Sequence, residues 1–331
     1  MRKNLLLLFV VSIVIFTGCK KDPLPSWNDK AESKSQIIKF VKQTTDSKSQ
    51  SYVPASQRIA VFDLDGTLYS ESYPTFFCFS LFIHRVLNDS SYTATPEDIE
   101  IAKTALTTGK TPALGDRDYV LSVFAGMTQE QFAEYVRKFV EEDQPGYSNL
   151  KRNAAFFKPM VELIRYLVKN DFTVYVVSGT DRTITRVLAS LIDIPSYQVI
   201  GTDAVIAFSK QKDTPYMKYI FEAGNEVVLL GQRKDINLQM KKVESIVNEI
   251  GIKPIFTFGN AMTDASMLNY VIYDNKHLSK AFVILPDDNE REFGNPEEVE
   301  KLKEACKIYG WTPVSMKNDW LTIYGTDVKK K

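Results

Sequence analysis

Residues 61–70 read Val-Phe-Asp-Leu-Asp-Gly-Thr-Leu-Tyr-Ser (VFDLDGTLYS), two acids and a glycine set directly after an apolar run. Arg58 to Phe62 (RIAVF) is apolar and β-branched without alternation, the pattern of a short strand buried on both faces. A carboxylate beside such a run is costly to bury unless something pairs with it. Asp63 and Asp65 therefore belong where the strand ends, with Gly66 permitting a tight turn and Leu68 returning to the core. Open α/β sheets collect ligands at that edge. An Asx-turn closing a strand explains the same residues, so the stretch does not specify chemistry by itself.

Working outward, the 331 residues have room for one large domain and a smaller inserted or appended one. With 25% charged and 44% apolar residues the composition is that of a globular protein. The 41 basic residues balance 41 acidic ones, which argues against nucleic acid as a general partner. The basic Lys329–Lys331 end reads as solvated. Two histidines, His84 and His277, leave little material for a histidine metal site or a histidine-dependent triad. An oxidising compartment would permit a Cys78–Cys306 bridge, but Cys78 lies in an apolar helical stretch and reads as a buried free thiol.

The first three residues are Met-Arg-Lys, and Leu5 to Phe16 (LLLLFVVSIVIF) is an uncharged apolar run. It is short for a bilayer span and suits the core of a signal peptide. Phe16-Thr17-Gly18-Cys19 ends it, and this looks like a bacterial lipoprotein signal in which Cys19 receives lipid. Residues 1–18 then form the signal peptide and 19–35 a polar, proline-containing tether. The implied location is the cell envelope, on the periplasmic or outer face, with the lipid as membrane contact. No protein partner is evident.

A helix is expected from Gln36, then the strand Arg58–Phe62. Four helical segments follow: Pro74–Leu87, Pro96–Thr107, Gly115–Met127 and Thr128–Glu142, the last opening with a capping-box spacing. A strand-free stretch of this kind implies a small α-helical insertion, residues 71–149. From residue 150 to 331 helices and strands alternate. Lys158–Asn170, Arg182–Leu191, Met240–Ile250 and Asp264–Val271 read as helices. Phe172–Val177, Tyr197–Gly201, Ile255–Phe258 and Ala281–Leu285 read as strands, with Val205–Phe208 and Val227–Leu230 pairing as a hairpin. Together with residues 36–70 they predict an α/β fold, a doubly wound, mostly parallel sheet carrying an inserted helical cap.

Three further stretches join the first, two of them also at strand ends. Val177-Ser178-Gly179-Thr180 ends a strand before a helix, where a hydroxyl and free N–H groups make either an anion site or an ordinary cap. Lys241 and Lys242 open another helix, where a lysine meets either phosphate or solvent. Phe258-Gly259-Asn260 leads into Asp264, giving two oxygen ligands of the kind magnesium takes, or a capped helix start.

Occurring in this chain order, the four stretches resemble the haloacid dehalogenase superfamily of phosphohydrolases, in its phosphoserine-phosphatase-like branch. The resemblance extends to Lys158–Leu163 and Gly310–Trp320 and to a bacterial lipoprotein subgroup. It implies Asp63 as nucleophile, forming an aspartyl-phosphate, and Asp65 as acid and then base. It implies phosphate binding by Ser178, Gly179 and Lys242, chosen over Lys241 on its spacing to Ile246, Ile250 and Gly251. Mg²⁺ would sit on Asp63, the Asp65 backbone carbonyl and Asn260, with Asp264 acting through water. Asn260 departs from the pattern, which commonly has an acid there. Glu71 and Arg182 are candidate substrate contacts, for an amino group and an anion. The activity implied is a Mg²⁺-dependent phosphomonoester hydrolase working on a small extracytoplasmic ester. The alternatives are a carbon–halogen hydrolase of the same fold, or a lipoprotein that binds a phospho-ligand with little turnover.

Overall fold

The computed structural model describes residues 22–331 apart from 72, 114 and 116. The signal segment and Cys19 lie outside the described residues. Helix α1 (Glu32–Thr45) precedes strand β1 (Ile59–Phe62), after which the chain enters a helical unit. That unit holds α2 (Phe77–Leu87), α3 (Pro96–Thr108), α4 (Tyr119–Ser122) and α5 (Gln129–Phe139), and the short β2 (Tyr147–Ser148) leads back out. The core resumes with α6 (Lys158–Lys169), β3 (Thr173–Asp181), α7 (Arg182–Ser190) and β4 (Val199–Thr202). The hairpin β5 (Ala204–Phe208) and β6 (Val227–Arg233) comes next, then α8 (Met240–Glu249), β7 (Phe256–Gly259) and α9 (Ala265–Ile272). The chain ends with β8 (Lys280–Leu285), α10 (Pro296–Tyr309), β9 (Thr312–Ser315), α11 (Met316–Asp319) and β10 (Lys329–Lys330).

The six-stranded sheet has the order β4-β3-β1-β7-β8-β9, and every pair in it is parallel. Helices cover both faces, so β1 is buried along its length and carries no polar alternation. Phe62, Phe256, Phe258 and Phe282 pack across three neighbouring strands, with the Phe62–Phe258 and Phe258–Phe282 rings stacked. This is the expected α/β doubly wound sheet. Strand β9 was not foreseen, because Thr312-Pro313-Val314-Ser315 is short and contains a proline; it lies at the sheet's edge, where a proline is tolerated.

The expected helix Gly115–Met127 shrinks to the single turn α4. Asp118 caps it, accepting from Leu121 N at 2.9 Å, and Gly126 leaves it with φ +84°. The hairpin forms, but in a sheet of its own that leans on the helical unit: Gly126 N donates to Leu229 O and Leu229 N to Met127 O, each at 2.9 Å. At the foot of the unit, β2 pairs with β10, and Tyr147 and Tyr324 both hydrogen-bond the buried Glu292.

A correction concerns residues 22–35, expected as tether. They are docked: Leu24 and Trp27 are fully buried, Trp27 Nε1 donates to Pro159 O at 2.9 Å, and Ser26 donates twice to Glu162. A tryptophan and a leucine among prolines and lysines were enough to seat the segment, since each hides a large apolar area. Helix α1 accordingly starts at Glu32 rather than Gln36. Cys78 and Cys306 are both free thiols.

Candidate active site

Phe62 is level with Val176 on one side and Phe258 on the other, so the residues after β1 and β7 and those ending β3 emerge together at the sheet's carboxyl edge. Asp63 continues the ladder by one bond, its N–H donating to Phe258 O at 3.0 Å, and its carboxylate then faces the edge. Lys242 arrives from α8 with its whole side chain buried. Its Nζ donates to Asp63 Oδ1 at 2.5 Å and Asp264 Oδ1 at 2.6 Å. Gln239, just before α8, adopts φ +51°, and its backbone and side chain bond Thr263 O and Met262 O. That anchored strain aims the helix start at the site. Lys241, one residue earlier, instead reaches Glu244 at the surface.

Asp264 has both oxygens engaged: Oδ1 by Lys242, Oδ2 by the N–H groups of Asn260 at 3.0 Å and Ala261 at 3.3 Å. It positions the lysine and the loop rather than offering a free oxygen to a cation. Asp65 accepts from the Thr180 hydroxyl at 2.7 Å on Oδ2, while its Oδ1 is buried without a partner. Asn260 Oδ1 accepts from Thr67 at 3.2 Å and its Nδ2 donates to Glu71 Oε2 at 3.0 Å. Gly66, at φ +73°, lets the loop close here: a Cβ on it would lie 2.0 Å from Asn260 Nδ2 and 2.5 Å from Glu71 Oε2.

Four acids (Asp63, Asp65, Glu71 and Asp264) thus share this buried corner with one lysine. Burial, reinforced by Asp264, pushes the Asp63 carboxyl up to about 7 against the opposing pull of Lys242. Burial also raises Asp65, the Thr180 bond offsetting only part of it. Glu71 is raised well above its ordinary value by burial and then by Asp65 and Asp63. For Lys242 burial acts downward, yet the charges of Asp264 and Asp63 outweigh it and the ammonium is held more firmly than usual.

Ser178 is buried; its Oγ accepts from Thr180 N at 3.0 Å and its carbonyl from Asn237 Nδ2 at 3.0 Å. Gly179 has Leu238 Cδ2 only 2.6 Å from where a Cβ would stand, so the backbone passes closely there. Two expected substrate contacts are redirected. Glu71 is turned onto the Asn260 amide, and Arg182 is engaged by Asp203 and Glu249 at 2.7 Å each, an ion-pair network beside β4. The hydroxyl of Thr180 was missed, although it sits in the quoted Ser-Gly-Thr stretch. Asn237 was missed too, and no local pattern marks it. It works through a chain of contacts, accepting from Ser245 Oγ and donating to Ser178.

Whether these residues suit Mg²⁺ is a question of charge and donor type. Among the described residues no three His, Cys, Asp or Glu side chains converge as a ready-made cage. Magnesium does not need one, since it keeps several waters and takes one or two carboxylates. Asp63 Oδ1 keeps a lone pair beside its bond from Lys242, Asn260 presents an amide oxygen, and the acids outnumber the lysine. The donor set fits.

The haloacid dehalogenase-like hydrolase family matches residues 60–269. The structure is similar to that of a conserved functionally unknown protein from Anaerococcus prevotii DSM 20548, at 15% identity over 89% of this chain and 94% of that one, with a TM-score of 0.57. A protein with unknown function from Bordetella pertussis Tohama I gives 14% identity over 78% and 98%, with a TM-score of 0.50. A phosphoserine phosphohydrolase-like protein from Francisella tularensis subsp. tularensis SCHU S4 gives 17% over 74% and 92%, with a TM-score of 0.39, too low to weigh. At such identities the likeness is one of fold. No curated protein matches the sequence. With well over half of its 331 residues matched by the family and the family's sheet underneath them, the chain belongs to the haloacid dehalogenase-like hydrolases.

Proposed function

We propose that the protein hydrolyses phosphate monoesters through an aspartyl-phosphate. The observation that carries this reading is the division of labour between the two acids of the opening stretch. Lys242 occupies one oxygen of Asp63, which leaves the other to attack phosphorus, and its ammonium stands where phosphoryl charge gathers. Thr180 occupies one oxygen of Asp65 and leaves Oδ1 unpartnered, in surroundings that favour the protonated form.

In the first step Asp63 forms a bond to phosphorus, the ester P–O bond breaks, and Asp65 gives its proton to the departing oxygen. In the second, water attacks phosphorus, Asp65 takes the water's proton, and the bond to Asp63 breaks to release inorganic phosphate. Ser178 and the N–H groups around Gly179 are the candidate partners of the phosphoryl oxygens. Mg²⁺, when bound, neutralises part of the phosphoryl charge; Asp63, the Asp65 carbonyl and Asn260 would hold it. The helical unit over the edge excludes water from the site.

The test is Asp63→Asn, nearly isosteric at a strand end. Phosphate release from a generic aryl phosphate should fall by at least about a thousandfold while the circular dichroism spectrum is kept. Activity near that of the parent would refute the mechanism.

A further inference from the structure

Between the carboxyl end of β3 and the helical unit lies a cavity of about 130 Å³. Gly179 and Thr180 form its floor, and Thr180 is the residue that bonds Asp65 at 2.7 Å. In the mechanism proposed above, the alcohol half of the ester must lie beside Asp65, since that acid protonates it. Asp65 does not itself line the cavity, so Thr180 is the link between them, and a leaving group seated here would be selected by the cavity's walls.

Cys78 and Phe79 of α2, Tyr119, Val120 and Leu121 of α4, and Ile236 supply apolar walls. Four charged residues also border the space, and three of them are ion-paired within the protein. Arg117 pairs with Asp98 at 2.5 Å and Glu97 at 3.1 Å. Arg233 reaches Asp118 at 3.4 Å and Gly115 O at 2.9 Å. Asp118 also caps α4, and Asp181 caps α7 by accepting from Thr183 N at 2.8 Å and Ile184 N at 3.1 Å. Among the described residues both guanidiniums of the cavity are paired, and Asp181, the one acid without an ion pair, is shifted by burial toward its neutral form. An ionic leaving group would lose its water for little compensating charge, which is costly.

Size narrows the class further. An apolar cavity of roughly 150 Å³ holds one benzene ring. A space of about 130 Å³ accepts a single ring or a short alkyl chain and is too small for a nucleoside.

We propose that the substrate is a phosphate monoester of a small, uncharged, largely apolar alcohol, carried in this cavity, with Phe79 as a specificity-determining residue. The assignment rests on the phosphatase reading, and the experiment separates the two. The full-length protein with saturating Mg²⁺ is assayed for phosphate release from acetyl phosphate, benzyl phosphate, n-butyl phosphate, O-phosphoserine and adenosine 5′-monophosphate. Benzyl, butyl and seryl phosphates all release unactivated alcohols, so their differences report binding of the leaving group.

The expected result is a kcat/KM at least tenfold higher for benzyl or butyl phosphate than for O-phosphoserine and the nucleotide. Phe79→Ala should lower the benzyl-to-acetyl ratio of kcat/KM about tenfold, through KM. Phosphate released fastest from O-phosphoserine or the nucleotide would overturn the substrate class and leave the phosphatase reading standing. An unchanged ratio in Phe79→Ala would remove Phe79 from the cavity's selectivity. No release from any of the five would overturn both readings. If Phe79→Ala does not fold, the ranking of the five substrates by the parent protein still decides the class.

Discussion

Asn260 carries an amide where an acid is common in the family, and a second acid stands against it: Glu71 accepts from that amide at 3.0 Å. An asparagine can present either oxygen or nitrogen, and a carboxylate on its nitrogen decides which. Restoring the acid by Asn260→Asp would bring two carboxylates into contact, beside three more. We expect this variant, without Mg²⁺, to melt about 5 °C lower than the parent, and the loss to be recovered by Mg²⁺ or by adding Glu71→Gln. Equal melting of the single and double variants in a thermal scan would show that Glu71 and residue 260 do not face each other. Asp181 offers a second test at this scale. Burial raises its carboxyl to about 7, so the folded protein binds a proton there that the unfolded chain, near 4, has lost. Its contribution to stability is whole below about 4 and is lost as pH rises through about 7. Asp181→Asn should flatten the fall of the melting temperature across that window. A slope identical to the parent's would assign the pH dependence to other groups.

The docked N-terminal segment is the element whose role the composition concealed. Asp22 pairs with Lys34 at 2.6 Å, Leu24 and Trp27 are buried, and the Trp27 ring packs edge-on against Trp320, which directly follows α11. A chain begun at Ser26 loses Leu24 and the Asp22 pair while keeping every catalytic candidate. Relative to one begun at Asp22, it should be less stable by about 2–4 kcal/mol, mostly the burial of Leu24. Chemical denaturation of the two forms measures the difference, and coincident curves would mean the contact adds nothing. The element α4 makes the complementary point. Its single turn stands where a helix over Gly115–Met127 was expected, and apolar residues do recur through Tyr119–Phe124. Tyr119, Val120 and Leu121 instead line the cavity and Phe124 packs on Phe132 and Tyr135 of α5, so a helical period was present without a helix.

At the scale of the whole molecule, the cap and core meet over the acids, and the leaving-group cavity exists only because α2, α4 and β3 converge. None of the described helices is long and apolar enough to cross a membrane. The membrane attachment we propose rests on Leu5–Phe16 and Cys19 alone, with two residues between Cys19 and the folded segment that starts at Asp22. Fractionation of cells expressing the full chain should find it with membranes, and Cys19→Ala should shift it to the unprocessed or soluble pool. A parent protein recovered soluble with Leu5–Phe16 still attached would exclude the anchor.

Strand ends were legible because burying a carboxylate has a large cost, and a sequence states plainly where apolar runs stop. Asp63 and Asp65 follow from that rule, as does the parallel sheet from the alternation of helices and strands; the strand expected to stop at Val177 instead runs through Ser178 to Asp181. The choice between Lys241 and Lys242 came from resemblance, for neighbouring residues in a polar helix start differ only in which way the helix turns them. The pairing of Glu71 with Asn260 spans 189 positions, and the tie of Thr180 to Asp65 spans 115. Contacts at such separations leave no periodic trace, because each partner is an ordinary polar residue in its own neighbourhood. The sequence by itself determined which chemical groups stand at the sheet's edge. The tertiary structure decided which oxygen each acid keeps free, since that depends on donors brought in from other strands.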